Sequence, residues 1–301
     1  MPRNGSGTYN LVNNTWYPPV NGVLATSTDW NTFISDVGSA LTQSVSSDGQ
    51  TPMTGNLPMG GNKITGLAAG TANTDAINFT QQTGRLLNVQ IFAASGTYTP
   101  TAGTTRIIVE VVGAGGAGGG AVFTGAGTLS AGSGGGAGGF SKSFLTSGFT
   151  PTVAVTVGAG GAGVNGANGN AGGNTSFGAF ITMPGGGGGN VTAAAAIAGA
   201  GGGQGSLGTG GNIVNQRGNG GDPSVAAFAA TYLQSGAGGT SIYGGLAPSA
   251  FNFTGGGAAA TNGSNSSASG SGGSGGTSTS GGGTTVGGAG SSGLITVYEY
   301  S

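Results

Sequence analysis

The chain has 301 residues, with 6 Lys and Arg against 7 Asp and Glu and a net charge of -1. Charged residues make up 4 % of it, against about 25 % in an ordinary globular protein, so no basic surface can neutralise phosphates and nucleic acid is excluded as a partner. There is no Cys and no His, which removes disulfides, thiolate metal sites and a Ser-His-Asp triad.

Residues 1–47 form the first zone. The opening Met1-Pro2-Arg3-Asn4-Gly5-Ser6-Gly7 lacks the apolar core of a signal peptide, and no run approaches a membrane span of about 20 apolar residues. A helix is predicted over about 28–44, capped by Thr28-Asp29. Its apolar stripe is Trp30, Phe33, Ile34, Val37, Ala40 and Leu41 at helical spacing. At two to four turns it is too short to stand alone in water, so the stripe needs cover. A second copy, a docking protein or its own domain could supply it.

Residues 48–86 are polar and broken by Pro52, Pro58, Gly60-Gly61 and Gly66, which set turns and forbid long helices. A brief helix capped by Thr74 is predicted over 75–82. From there the pattern turns to strands: Leu87, Val89 and Ile91 alternate, Thr105–Val112 reads as a buried strand, and a turn covers 98–103.

Residues 113–293 hold 61 Gly in 181 positions and only three charges, Lys142, Arg217 and Asp222. Glycine costs roughly 0.5–1 kcal/mol against Ala, so such a zone either packs in a geometry only glycine permits or stays unfolded. Strands are predicted at 139–146, 152–157, 176–183 and 294–300, the last with Leu294, Thr296, Tyr298 and Tyr300 on one face. Gly/Ala runs separate them at 113–120, 132–139, 158–163, 185–189, 199–203 and 281–283, with no fixed period between clusters. Four Pro and no Gly-X-Y repeat exclude collagen. Packed side by side, such runs could take the polyglycine II form, three residues per turn, and satisfy each other's backbone groups. The Ser/Gly stretch 262–283 best fits a flexible linker.

Gly55–Ala68 reads G-N-L-P-M-G-G-N-K-I-T-G-L-A, with Asp48–Thr54 before it and Thr74-Asp75-Ala76-Ile77 after. This resembles the shaft module of tailed-bacteriophage tail fibres, and the start Met1–Tyr9 is similar to the opening of such proteins. Beyond Ile107, the order of strand, Gly runs and terminal strand resembles the glycine-rich distal domains of phage adhesins. The resemblance implies a homotrimeric virion component, attached to a phage tail or baseplate protein by its N-terminus. Its tip would bind a bacterial surface polysaccharide or outer-membrane protein. The expected fold is mainly β: an elongated trimeric fibre with the short helix, a stalk over 48–86 and a glycine-rich tip over 87–301. Trp30, Phe33, Ile34, Val37, Leu41, Leu57, Met59, Ile64 and Leu67 would meet across the threefold axis.

If the runs are scaffold, contact residues lie between them. Phe123, Asn212, Asn215, Arg217, Tyr232, Tyr243, Phe251 and Phe253 are the candidates, since aromatics and Arg dominate binding energy and Asn suits sugar hydroxyls. No P-loop, metal site or cofactor site is expected. Glu110, Glu299 and Asp222 are the only carboxylates that could act together on a glycoside, and no enzyme activity is expected. A purely structural fibre or spike component is the alternative reading. A wall or silk-like protein would need a secretion signal.

Overall fold

The structure is a computed structural model that describes residues 27–42, 56, 59–195, 197–205, 207–227, 232–253 and 257–301. The chain divides into two units, 1–68 and 69–301. In the first, a helix α1 spans Ser27–Thr42, close to the predicted 28–44. Trp30 and Ile34 are exposed on it and Trp30 meets Phe33 edge-on at 6.2 Å. The start 1–26, residues 43–55, Leu57 and the side chain of Leu41 lie outside the described residues.

The second unit opens with turns rather than the predicted helix. Asp75 Oδ2 accepts the N–H groups of Thr71 and Ala72 at 2.7 and 2.9 Å. The helical turn is a short 3-10 segment, Phe79–Gln81, capped by Asn78 and not by Thr74. Asp75 prefers this local bonding to a place inside a helix.

Strands follow: β1 Leu86–Phe92, β2 Gly96–Tyr98, β3 Arg106–Val112, β4 Ser130–Ala131, β5 Phe140–Leu145, β6 Val153–Thr156, β7 Thr175–Phe177 and β8 Ile181–Met183. Then come β9 Ile197–Ala200, β10 Val214–Gln216, β11 Ser224–Ala227, β12 Tyr232–Gln234, β13 Phe251–Phe253, β14 Ala260–Thr261, β15 Thr277–Ser278 and β16 Leu294–Tyr300. Two expectations change here. Tyr98 ends a strand instead of opening a turn, and 176–183 is a hairpin of two strands, its turn at Gly178 with φ +51°.

Two antiparallel sheets, β1-β16-β3-β5-β10 and β2-β6-β7-β8, pack face to face as a sandwich. Alternation decides the buried face. Ile107, Val109 and Val111 of β3 and Ile295 and Val297 of β16 meet Tyr98, Val153, Val155, Phe177, Ile181 and Met183. The predicted face of Leu294, Thr296, Tyr298 and Tyr300 is the outer one.

Glu299 shares the inner face and is fully buried. Its Oε1 accepts from Tyr98 Oη at 2.8 Å, Thr101 N at 3.0 Å and Gln90 Nε2 at 3.1 Å, and Oε2 from Thr101 Oγ1 at 2.6 Å. Burial pushes its pKa up, but the bonds from Thr101 and Tyr98 outweigh it and hold the carboxyl below the ordinary glutamate value. Burial and the hydrogen bond to Glu299 both push the Tyr98 phenol well up.

The glycine runs continue these strands outward from the sandwich. Run 113–120 follows β3, 132–139 precedes β5, 158–163 follows β6, 185–190 follows β8 and 285–291 precedes β16. Their bonding has a period of three. Gly113, Gly116 and Gly119 donate to Gly139, Gly136 and Ser133. Ala114, Ala117 and Gly120 donate to Gly173, Asn170 and Ala167, while Gly115 and Gly118 donate to Ser291 and Gly288. On the carbonyl side Ala114 and Ala117 accept from Gly186 and Gly189, Gly116 and Gly119 from Gly273 and Gly276, and Gly115 from Gly161. Successive residues thus point to successive neighbours, the order of a polyglycine II lattice. Run 113–120 has six neighbours: 132–139, 167–173, 285–291, 185–190, 271–276 and 158–163. At ~3.1 Å per residue it is about 25 Å long.

Close approach, not positive φ, demands glycine inside this bundle. A Cβ on Gly135 would lie 2.3 Å from the Gly116 oxygen, and one on Gly116 2.2 Å from that of Gly187. Residues 113–121, 130–139 and 270–279 are buried throughout. The linker reading of 262–283 is therefore wrong for its inner part. Gly272 and Gly275 donate to Gly239 and Gly236, and Ser274 Oγ accepts from Ser264 N at 2.8 Å. Gly281–Gly283, expected as a run, is a turn with Gly281 at φ +76°. A local period of three does exist within runs: Ala114 and Ala117, Ala159 and Ala162, Ser271, Ser274 and Thr277, Val286 and Ala289. With three residues per turn these share one side of each helix. At the rim, Asn262 and Asn265 Oδ1 accept from Val286 N and Ala289 N at 3.0 and 2.8 Å, replacing a missing neighbour strand.

Two outcomes follow. Gly135→Ala is expected to lower stability by at least about 1–3 kcal/mol, as overpacking does, whereas Gly283→Ala, with nothing within 4 Å of the added methyl, leaves the thermal midpoint within a degree or two. Equal midpoints for the two variants would mean the bundle is not close-packed. For Glu299, a depressed folded-state pKa contributes stability above the unfolded value, near pH 4.3, that is lost as pH falls through the folded value. Thermal melts should show this acid sensitivity weakened in Glu299→Gln, and Glu299→Ala should lose about 3 kcal/mol at pH 7 by leaving buried donors unpaired.

Candidate functional site

The bundle separates the candidate contact residues into two groups. Asn212, Asn215, Arg217 and Tyr243 stand at the sandwich end. Phe123, Tyr232, Phe251 and Phe253 stand at the far end, where 113–120 has run its length and 132–139 begins.

At the sandwich end the two asparagines support structure. Asn212 Oδ1 accepts from Phe144 N at 2.8 Å and its Nδ2 donates to Phe144 O at 2.7 Å, so the side chain extends the edge of β5 like one more strand residue. Asn215 Nδ2 donates to Gly211 O at 2.8 Å and its Oδ1 accepts from Ser141 Oγ at 2.9 Å. Tyr243 lies over the outer face of the five-stranded sheet. Burial and the charge of Glu110 push its phenol up, against a hydrogen bond with Thr296.

Glu110 and Glu299 do not face each other. β3 and β16 do pair, but Glu110 is opposite Thr296 on the outer face, while Glu299 is opposite Ile107 on the inner one. Glu110 Oε1 is held by Lys142 Nζ at 2.9 Å and its Oε2 accepts from Tyr298 Oη at 3.3 Å. Hydrogen bonding to Glu110 is the main cause that raises the Lys142 pKa. Among the described residues no three His, Cys, Asp or Glu side chains come together to hold a metal, and no helix is long and apolar enough to cross a membrane.

At the far end, β13-β12-β11-β9 form a sheet whose inner side chains Ala226 and Leu233 pack on Leu129 and Ala131. Its outer face carries Val225, Tyr232, Gln234 and Phe251, because Val225 is opposite Gln234 and Gln234 opposite Phe251. Phe253 is paired with Tyr232 in the same register; its side chain lies outside the described residues. The Tyr232 and Phe251 rings meet edge-on at 6.3 Å, and Tyr232 Oη donates to Gln234 Oε1. Phe251 is 56 % exposed. Asn252 Nδ2 ties this edge to Thr277 Oγ1 at 2.7 Å.

Phe123 is 63 % exposed, yet its neighbours are pinned. Val122 N donates to Ser130 Oγ at 3.0 Å. Thr124 is fully buried, its Oγ1 within bonding distance of Ser278 Oγ at 3.1 Å and donating to Thr279 O, and its N–H donates to Gly282 O at 3.1 Å. Gly127 N donates to Ser280 Oγ at 2.9 Å. The ring is thus presented to solvent on a fixed backbone. Val225 and Gln234 escaped the sequence reading. The alternation of Ser224-Val225-Ala226-Ala227, buried at 224 and 226, is the signal that marks Val225.

A glycine-rich domain family model matches residues 91–300, more than two thirds of the chain, and the chain belongs to that family. No curated protein matches it.

The bonding above predicts which candidates matter for folding. Asn212→Ala should lower the thermal midpoint by several degrees, having removed two hydrogen bonds worth about 1 kcal/mol each. Phe123→Ser should leave it unchanged. A reversed order in differential scanning calorimetry would reassign the two roles.

Proposed function

We propose that this glycine-rich domain protein is the receptor-binding fibre component of a bacteriophage tail, with the far-end loops of the bundle as its contact surface. The observation that carries the reading is Phe123: an exposed aromatic ring on a backbone bonded on both sides to buried residues. Such a ring loses little conformational entropy on binding, and preorganisation of this kind is what turns buried area into affinity. Phe251, Tyr232, Gln234 and Val225 extend the surface with aromatic and amide groups suited to a surface polysaccharide or an outer-membrane protein loop.

The chain acts as a homotrimer in the virion, its N-terminal unit docked on a tail or baseplate protein. Large apolar side chains open to solvent support this: Ile34 on α1, Ile64 in the stalk and Ile77 at the start of the second unit. A segment that holds defined turns while leaving such groups uncovered is built to be covered by other chains. The alternative, a structural fibre without receptor choice, shares these features and parts company only at the far end.

Binding of the labelled full-length protein to a panel of bacterial strains tests the reading. Selective binding to some strains is expected, with little dependence on salt because the far-end surface has few charges. The double variant Phe123→Ser, Phe251→Ser should keep its melting curve and lose at least about tenfold in affinity, as hot-spot aromatics do. Unaltered binding by that variant, or no strain selectivity, would favour the structural reading.

A further inference from the structure

We propose that a pocket at the sandwich end, built around Arg217, is a binding site for a single oxyanion, the carboxylate of an acidic sugar or a phosphate group. It stands apart from the far-end surface and does not depend on it. The pocket holds about 40 Å³ and is lined by Phe140, Gln216, Arg217, Asn219, Thr240 and Ile242 among others. At about 10–15 Å³ for each water-sized centre, it has room for some three oxygens, the size of a carboxylate or phosphate and less than a whole sugar ring.

The chemistry of the lining selects the charge. Among the described residues the one ion pair is Lys142 with Glu110, so no carboxylate neutralises Arg217. Its guanidinium is nevertheless held in place: Nη1 donates to Gly205 O at 3.1 Å. That leaves most of its N–H fork free, in an orientation fixed by a neutral main-chain acceptor. Thr240 supplies a second donor. Its Oγ1 accepts from Asn219 Nδ2 at 2.7 Å, so its own hydrogen turns elsewhere and remains available. Gln216 and the Asn219 carbonyl oxygen can meet flanking hydroxyls, and Phe140 and the half-exposed Ile242 give an apolar wall for the carbon skeleton of a sugar. A cationic fork, an oriented hydroxyl and an apolar wall together suit a charged group on a glycan or polyol phosphate better than a neutral sugar.

Isothermal titration of the full-length protein with sodium glucuronate, inorganic phosphate and glucose tests this. Uptake of glucuronate, of phosphate or of both is expected, with none of glucose, and the anion that binds identifies the source. Arg217→Gln should weaken that uptake at least tenfold, Arg217→Lys should fall between it and the native protein, and Thr240→Val should lose severalfold with the arginine intact. Raising sodium chloride from 10 to 300 mM should also weaken it, unlike binding at the far end. Arg217 is exposed, so a melting curve shared by the variants separates loss of the site from loss of the fold. No uptake of either anion, or uptake equal in Arg217→Gln, would overturn the assignment.

Discussion

Everything in the second unit depends on one constraint: each buried backbone of the glycine runs must find hydrogen-bond partners in three directions at once. A β-strand bonds only within a sheet, through two opposite edges. A threefold extended helix turns successive N–H and C=O groups by a third of a turn, so its neighbours surround it. That arrangement requires distances between runs that no Cβ allows: one added to Gly116 would lie 2.2 Å from the Gly187 oxygen. Glycine's entropic cost of roughly 0.5–1 kcal/mol per residue is about the net gain of one backbone hydrogen bond. The bundle therefore needs another source of net stability, and the apolar sandwich from which its helices emerge supplies it.

The sandwich also sets the register. Because β3, β5, β6, β8 and β16 lead directly into runs or out of them, their pairing fixes where each run begins. Small side chains recur every third residue and occupy the one side of each helix where space remains. Serines inside the bundle return their hydroxyls to main-chain groups, as Ser274 does for Ser264. Asparagines at the rim supply the carbonyl that an absent neighbour would have given. Nearly every role that charge plays in an ordinary protein surface is taken here by amides and hydroxyls.

A body bonded in this way is stiff along its length, and stiffness is what lets short loops act as a defined surface. Thr124, buried against 278–282, turns the loop after run 113–120 into a fixed mount for Phe123. The edge strand bearing Phe251 is tied to a second small sheet through Asn252. The sandwich end carries different chemistry, with the Glu110–Lys142 pair, Tyr243 and the Arg217 pocket on or beside the five-stranded sheet.

Sequence alone determined the parts governed by local rules. Alternation located β1, β6 and β16, β-prone apolar segments located β3 and β5, helical spacing located α1, and the density of glycine announced a geometry forbidden to side chains. It missed the buried role of 270–276, because Ser and Gly in near alternation look the same in a linker and in a lattice until partners are known. It also placed Asn212 and Asn215 among contact residues, since an amide suited to a sugar is equally suited to a strand edge. Only the tertiary structure decided which of eight candidates share an end of the bundle, and that Glu110 and Glu299 lie on opposite faces. The reason is physical: hydrogen bonds between runs join residues as much as 176 positions apart, such as Gly115 and Ser291, and no local pattern encodes which runs become neighbours.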